Sequence, residues 1–477
     1  MLHLQKMEKN SLQTLTRPPI VVVLGHVDHG KTTLLDAIRK TNVTAREAGG
    51  ITQKIGASTI KTKEGKKITF IDTPGHAAFT KMRGRGAKVA DIAILVVAQD
   101  DGVQPQTREA LEIIRDAGIP FVVAGTKADV AGVNAEALKG QLEKENVFFE
   151  GRGGDIPFVS VSAKTNVGIT ELLEMLTLMA DVAELKGDST APLEAVVIES
   201  GRDKMGSVAT VVVRNGSIKM GATIFAEESE CKVKALFDDK GESIKEVLPG
   251  EPAQVFGFSE VPPVGASVTR EAHTAVKEAP KAKGVFDLRR LKDDEIPVII
   301  KADNAGSLEA IIASLPPKIV VVESGVGDVT STDIIDAKTG NAYVMAFESK
   351  ISANIVKLAE AEKVKVERFQ IIYELISRLD EILKKGRVEI IGRAEILASF
   401  PFNNKKVAGC KVIDGRISKG DTLVLQREEK EIGKAKITSI KKQKVEVPSV
   451  GQSEEFGIIL EPQLDFAVGD MLLSVSK

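Results

Sequence analysis

At 477 residues, with 43% apolar and 28% charged side chains, the chain is long enough to bury several cores and to hold three or four domains. A net charge of −2 supplies no global attraction to nucleic acid, and an aromatic content of 4% with no Trp argues against recognition by stacking of successive bases. No apolar run nears the ~18–20 residues a membrane helix needs, and the two distant cysteines, Cys231 and Cys410, support neither a disulfide framework nor a zinc site, so no membrane association and a reducing cytoplasm are expected.

A short tail, residues 1–17, lacks the apolar core of a secretory signal and precedes the first predicted strand. Over 18–185, β-branched runs at 20–24, 69–72, 92–98, 121–125 and 158–162 alternate with helical patterns. Fully apolar strands between helices predict a parallel sheet covered on both faces, as in a P-loop domain. From 190 to 275, short strands are separated by Asn215-Gly216 and DDKG turns, which predicts an antiparallel β-barrel. Alternation returns over 285–370 and predicts a small α/β domain with a parallel sheet. Over 371–386, Ile372, Leu375, Ile376, Leu379 and Ile382 recur at helical spacing before Gly386 and predict a long connecting helix. That stripe either packs on its own domain or marks a rigid rod between domains.

The last segment, 387–477, is β-rich again and matches the earlier barrel. VVRNGSIKMGATI (212–224) aligns without a gap to KVIDGRISKGDTL (411–423), pairing Gly216 with Gly415, Ile218 with Ile417, Gly221 with Gly420 and Thr223 with Thr422. Two barrels of one design are expected to flank the small α/β domain, shared turn chemistry being the other source of such a match. This segment carries 15 Lys and Arg against 13 Asp and Glu, a balance that permits RNA binding without requiring it. Its basic cluster at 441–444 is either an RNA contact or a solvated strand face.

The first predicted strand runs into GHVDHGKT, comprising Gly25, His26, Val27, Asp28, His29, Gly30, Lys31 and Thr32, and a helix follows from Thr33. A strand before and a helix after make this pattern a phosphate loop, in which backbone N–H groups surround phosphates and the glycines allow the turn. Lys31 is expected to neutralise the β- and γ-phosphates and Thr32 to bind Mg2+. DTPGH follows the next predicted strand, where Asp72 can hold the metal through water and Gly75 can offer its N–H to the γ-phosphate. In GTKAD, which includes Thr126 and Lys127, the Asp129 carboxylate can accept both the N1 and N2 hydrogens of guanine. Adenine cannot supply that pair, so GTP or GDP is the expected ligand. Ser162, Ala163 and Lys164 follow a further strand, where a backbone N–H can meet the guanine O6. These pieces fall at the C-terminal ends of successive strands, where open parallel sheets bind ligands.

GHVDHGKT together with DTPGH resembles the translational GTPases. REAGGITQ (46–53), GSLEA (306–310) and SGVGDVT (324–330), with the domain order, closely resemble the bacterial translation initiation factor 2 family. The resemblance covers nearly the whole chain and implies a short form without a long N-terminal region. It implies a ribosome-stimulated GTPase in which Thr52 completes the metal shell, its segment loosens when the γ-phosphate leaves, and His76 orients the attacking water past an apolar gate of Val27 and Ile51. Catalysis is then mainly positioning and charge stabilisation by His76 and Lys31. The implied partners are the small and large ribosomal subunits and formylmethionyl initiator tRNA, held by the last barrel, with the factor a monomer off the ribosome. Candidate tRNA residues are Cys410, Lys442, Glu455 and Phe456.

The chain departs from the family pattern at four places. Lys54 stands where His is expected, Thr126 where Asn is usual, Phe456 where a second cysteine is typical and Lys442 where Arg is common. Phe456 and Lys442 alter the pocket expected to read the formyl group, and they motivate a different reading, a GTP-gated ribosome-assembly or storage factor that needs no aminoacyl-tRNA. An elongation-type tRNA carrier is a weaker alternative, disfavoured by the middle α/β domain.

Overall fold

The computed structural model describes residues 15–41, 51–272, 295–385, 390–402, 405–427, 430–443 and 445–475. Expectations that fall on 1–14, on the switch residues 46–50, on Gly386 and on Lys444 lie outside the described residues. Two compact units form, one holding the first two domains and most of the α/β domain through Ile376, the other containing Ser377–Lys477.

In the first domain, β1 (Ile20–Gly25), β2 (Gly56–Lys61), β3 (Lys67–Asp72), β4 (Ile92–Ala98), β5 (Phe121–Thr126) and β6 (Phe158–Ser160) form one sheet in the order β2-β3-β1-β4-β5-β6. The β2–β3 pair is antiparallel and the remaining pairs are parallel. Every residue of β1 and β4 is buried, as expected of central strands covered on both faces. Helix α1 (Lys31–Arg39) follows β1, α2 (Thr80–Val89) follows β3, and α3 (Pro105–Ala117) follows β4. Helix α3 starts with Pro at its first turn and a Gln104/Thr107 capping box, and stops at Gly118, whose φ of 65° suits glycine. After β5 and β6 come α4 (Ala135–Glu143) and α5 (Ile169–Val182).

The next six strands, β7 (Glu194–Asp203), β8 (Gly206–Asn215), β9 (Thr223–Ala226), β10 (Ser229–Phe237), β11 (Pro252–Phe258) and β12 (Ser267–Thr269), close a barrel in the order β8-β11-β10-β9-β12-β7. Its core includes Val197, Val211, Val213, Ile224 and Val255, all fully buried. Glu199 on β7 is only 9% exposed, and its carboxylate accepts the amides of Ser200 (2.9 Å) and Gly306 (3.2 Å), the latter from the α/β domain.

The α/β domain contains β13 (Ile296–Ala302), α6 (Ala305–Ala313), β14 (Ile319–Val326), α7 (Ser331–Gly340), β15 (Tyr343–Phe347), α8 (Ala353–Ala361) and β16 (Val366–Phe369). Its sheet order is β14-β13-β15-β16, with β13–β15 and β15–β16 parallel. Helix α9 (Ile372–Lys385) follows, with Ile372, Leu375, Leu379 and Ile382 buried, so its apolar stripe is packed while Tyr373 stands off it, 49% exposed.

The second unit is a barrel of β17 (Ile390–Phe402), β18 (Lys405–Gly415), β19 (Thr422–Arg427), β20 (Lys430–Lys442), β21 (Val445–Glu446), β22 (Glu455–Glu461) and β23 (Met471–Val475). The order is β19-β23-β17-β18-β22-β20-β21, closed by β19–β20 pairing. The sequence match between the barrels has a backbone counterpart, because Gly216 and Gly415 share a φ of 69°, and Gly221 and Gly420 stand at 82° and 91°. At Gly216 a Cβ would lie 2.7 Å from the Leu193 Cα, and at Gly415 it would collide with the Ile391 carbonyl. Both positions need glycine for conformation and for space. Among the described residues, no helix is long and apolar enough to cross a membrane.

Candidate functional site

The loop between β1 and α1 takes a conformation few residues allow. Gly25 has φ 151°, and a Cβ there would collide with the Val96 carbonyl of neighbouring β4; Asp28 (φ 60°) and Gly30 (φ 83°) are left-handed. The turn leaves α1 opening at Lys31 with no side-chain cap on its first amides. Lys31 is buried, and its Nζ donates to the His26 carbonyl at 2.6 Å. Burial pushes its pKa down to about 8, opposed by the nearby Asp72 charge. Gly75 lies so close to Lys31 Nζ that any side chain there would strike the ammonium.

Three potential oxygen ligands border this cation. The Thr32 and Thr52 hydroxyls are 2.5 Å apart. Asp72 is buried, its Oδ1 has no hydrogen-bond partner among the described residues, and burial raises its pKa to about 6, against the pull of Arg39 and Lys31. Two hydroxyls and an unsatisfied buried carboxylate are a donor set for a hard divalent cation, which would reverse the shift on Asp72. The residues therefore fit Mg2+.

One cavity is lined by Val27, Asp28, Gly30, Lys31, Thr32, Thr33, Ile51, Thr52, Gly75 and His76, all singled out from sequence, together with Tyr373. His76 caps the 3-10 turn after it, its Nδ1 accepting from the Ala78 amide at 3.0 Å. Its ring meets Tyr373 edge-on, with centroids 4.0 Å apart at 85°. Burial, then the Arg83 charge, lowers the His76 pKa, so the ring is neutral at pH 7. The fully buried Arg83 donates to the Pro74 (3.0 Å) and His76 carbonyls and pairs with Glu109, bracing the loop from beneath.

The other loop residues serve as supports. The His29 ring is buried, its Nε2 lies 3.0 Å from Asp101, and it stands edge-on to His26 at 4.9 Å. The Val27 amide donates to Gln106 at 3.0 Å. Thr126 donates its hydroxyl to the His29 carbonyl at 2.6 Å, so the departure from Asn keeps a tie between β5 and the phosphate loop.

At the far end, Asp129 is exposed and accepts from Ser162 Oγ at 2.7 Å, a bond that holds its carboxyl below the usual range. Lys127 is left-handed (φ 58°) and pairs with Asp100 at 3.1 Å. Ser162 is buried, Ala163 is half-buried and Lys164 is exposed. These base-end residues do not line the phosphate cavity.

Sequence reasoning missed four contributors: Gln53, Arg83, Gln106 and Tyr373. Gln53 is buried, donating to the Gln370 carbonyl (2.7 Å) and accepting from the Ile372 amide (3.1 Å). Beside it, Lys54 pairs with Asp303 and Glu348, each at 2.5 Å. The available signals were the position of Gln53 next to Thr52 and of Tyr373 off the apolar stripe of its helix.

In the last barrel, Cys410 and Phe456 face each other in register across β18 and β22, and both are buried in its core. Burial pushes the Cys410 thiol up to about 12. Glu455 is exposed opposite Lys411, and Lys442 at the end of β20 donates to Glu454 at 2.6 Å. The four candidates thus lie on three neighbouring strands.

The family model described as the elongation factor Tu GTP binding domain matches residues 16–181, that of elongation factor G domain 2 matches 192–271, and that of translation-initiation factor 2 matches 273–380. Over 96% of its length the chain is 42% identical to translation initiation factor IF-2 of Carboxydothermus hydrogenoformans, covering 59% of that protein. It is likewise 42% identical over 96% to IF-2 of Persephonella marina, covering 55% of it. To IF-2 of Caldanaerobacter subterraneus subsp. tengcongensis it is 41% identical over 96%, covering 69%. The chain thus spans a little over half the length of the first two relatives.

Proposed function

The chain belongs to the translation initiation factor 2 family, and from that premise we propose that it is a GTP-switched initiation factor. In the GTP state it promotes placement of formylmethionyl initiator tRNA on the small ribosomal subunit and joining of the large subunit; hydrolysis then releases it. It works in the cytoplasm and is a monomer off the ribosome. The observation that carries this reading is a single cavity bringing together Lys31, the paired Thr32 and Thr52 hydroxyls, Gly75 and His76.

Lys31 and the α1 amides bind the β- and γ-phosphates, with Gly75 offering its N–H to the terminal group. Thr32, Thr52 and, through water, Asp72 would hold Mg2+, which would supply positive charge where the leaving oxygen becomes more negative. At rest the neutral His76 ring carries its proton on Nε2 while Nδ1 accepts from Ala78, and it leaves that bond to position the attacking water. To reach the water it must pass between Val27 and Ile51, which keeps turnover slow until the ribosome moves it. Asp129 and Ser162 bind the guanine edge, Lys127 and Thr126 support that loop, and Ala163 and Lys164 frame the base.

The domain limits 18–185, 190–275, 285–370, 371–386 and 387–477 are part of this proposal, supported by where the sheets begin and end. For the tRNA end, Cys410 and Phe456 shape the wall of the last barrel, and Glu455 and Lys442 supply its polar edge. The storage or assembly reading draws on Phe456 and Lys442, because Phe456 fills the core where a smaller group would leave room. Assembly of initiation complexes with formylated and unformylated initiator tRNA, under GTP and under GDP, separates the two. GTP-dependent acceleration that favours the formylated tRNA is expected. Subunit joining with no dependence on initiator tRNA would establish the assembly reading instead.

A further inference from the structure

In the first turn of α9, Tyr373 lines the phosphate cavity, and the backbone just before it, from Gln370 to Ile372, lies beside the Thr52 segment. That backbone is gripped by Gln53, one residue beyond Thr52, through the Gln370 carbonyl and the Ile372 amide. One residue on, Tyr373 stands off the buried stripe of Ile372, Leu375, Leu379 and Ile382, so packing of the helix does not account for its direction. It instead meets the His76 ring edge-on at 4.0 Å and 85° and forms part of the cavity wall beside Val27 and Ile51. His76 is thereby restrained twice, by its Nδ1 bond to the Ala78 amide and by the Tyr373 ring.

We propose that Tyr373 is a positioning residue for GTP hydrolysis, holding His76 in its resting orientation and releasing it when the first turn of α9 shifts. This rests on the reading of His76 as the residue that orients the attacking water. For that role the ring must turn away from the Ala78 amide and out of the aromatic contact, so the contact stabilises the resting state and slows the isolated factor. Because Gln53 ties the same turn to the Thr52 segment, a movement of the α/β domain reaches both mobile segments of the site at once. The device needs the aromatic ring of Tyr373 and not its hydroxyl, which makes no hydrogen bond among the described residues.

The test is GTP hydrolysis by the full chain with and without ribosomes, alongside GTP affinity, for Tyr373→Ala, Tyr373→Phe, His76→Ala and the Tyr373→Ala/His76→Ala double variant. Tyr373→Ala is expected to raise the ribosome-free rate about 2- to 12-fold, the range an aromatic edge contact corresponds to, with affinity unchanged. Tyr373→Phe should keep the wild-type rate, and Tyr373→Ala should do nothing further once His76 is Ala. A ribosome-free rate in Tyr373→Ala that is unchanged or reduced overturns the proposal, as does a Phe variant behaving like Ala. If His76→Ala alone leaves ribosome-stimulated turnover intact, the reading of His76 fails and this inference with it. If His76→Ala abolishes that turnover while Tyr373→Ala does not accelerate, only the inference fails.

Discussion

At the phosphate end of the site, Lys31 is buried, Asp72 is buried, and the loop is tied to β4, β5 and α3 by fixed contacts. At the base end, Asp129 stands in solvent and is steadied by one hydrogen bond from Ser162. Charge acts strongly where water is excluded and weakly where it is not, so the buried end is suited to affinity and chemistry. On the proposed reading the exposed end works by pattern: its carboxylate would discriminate because the wrong base leaves hydrogen-bonding groups unmatched.

The sharpest way to break this contrast is to remove the buried cation. Lys31→Ala should cost about 3 kcal/mol or more of GTP binding, a loss of two orders of magnitude or more measured by calorimetry, with GDP less affected. Equal losses for GDP and GTP would mean that Lys31 does not face the terminal phosphate. Next in size, Asp129→Asn should weaken GTP binding and gain affinity for xanthosine triphosphate, whose edge suits a carboxamide. A uniform weakening toward both nucleotides would show that Asp129 supports the loop and does not read the base. The smallest effect is expected from Ser162→Ala, about 1 kcal/mol in nucleotide affinity with hydrolysis of bound GTP unchanged. A fall in the single-turnover rate there would mean the two ends are mechanically joined.

The phosphate loop was legible in the sequence because its chemistry is local: Gly25 and Gly30 are required by φ, and Lys31 and Thr32 follow in fixed spacing on the helix they open. The repeated Gly216/Gly415 turns were legible for the same reason, since a positive φ beside crowded backbone leaves little choice of residue. Gln53 and Tyr373 were not. The Gln53 bonds join positions 317 and 319 residues apart, and nothing in local periodicity reports which distant backbone a buried amide will meet. The departure at Lys54 acquires a physical meaning only when Asp303 and Glu348 are seen beside it. Arg83 likewise reads as an ordinary helical charge until its carbonyl partners are known.

Glu199 sits where the first barrel meets the α/β domain, accepting the Gly306 amide, with a second carboxylate oxygen, Oε2, that has no hydrogen-bond partner among the described residues. Burial raises its pKa to about 7, above the ordinary 4.5 of an unfolded chain. The folded form therefore retains a proton that the unfolded form has already shed, so this group's stabilising contribution is full below pH 4.5 and declines until the folded carboxyl ionises near 7. The total loss is on the order of 3 kcal/mol. Urea midpoints should fall between pH 5 and 7.5 and depend less on pH in Glu199→Gln; an unchanged profile would mean the carboxylate is charged in the native seam. A seam carboxyl that keeps its proton to near neutrality thus makes the stability of this part of the chain fall as pH rises toward 7.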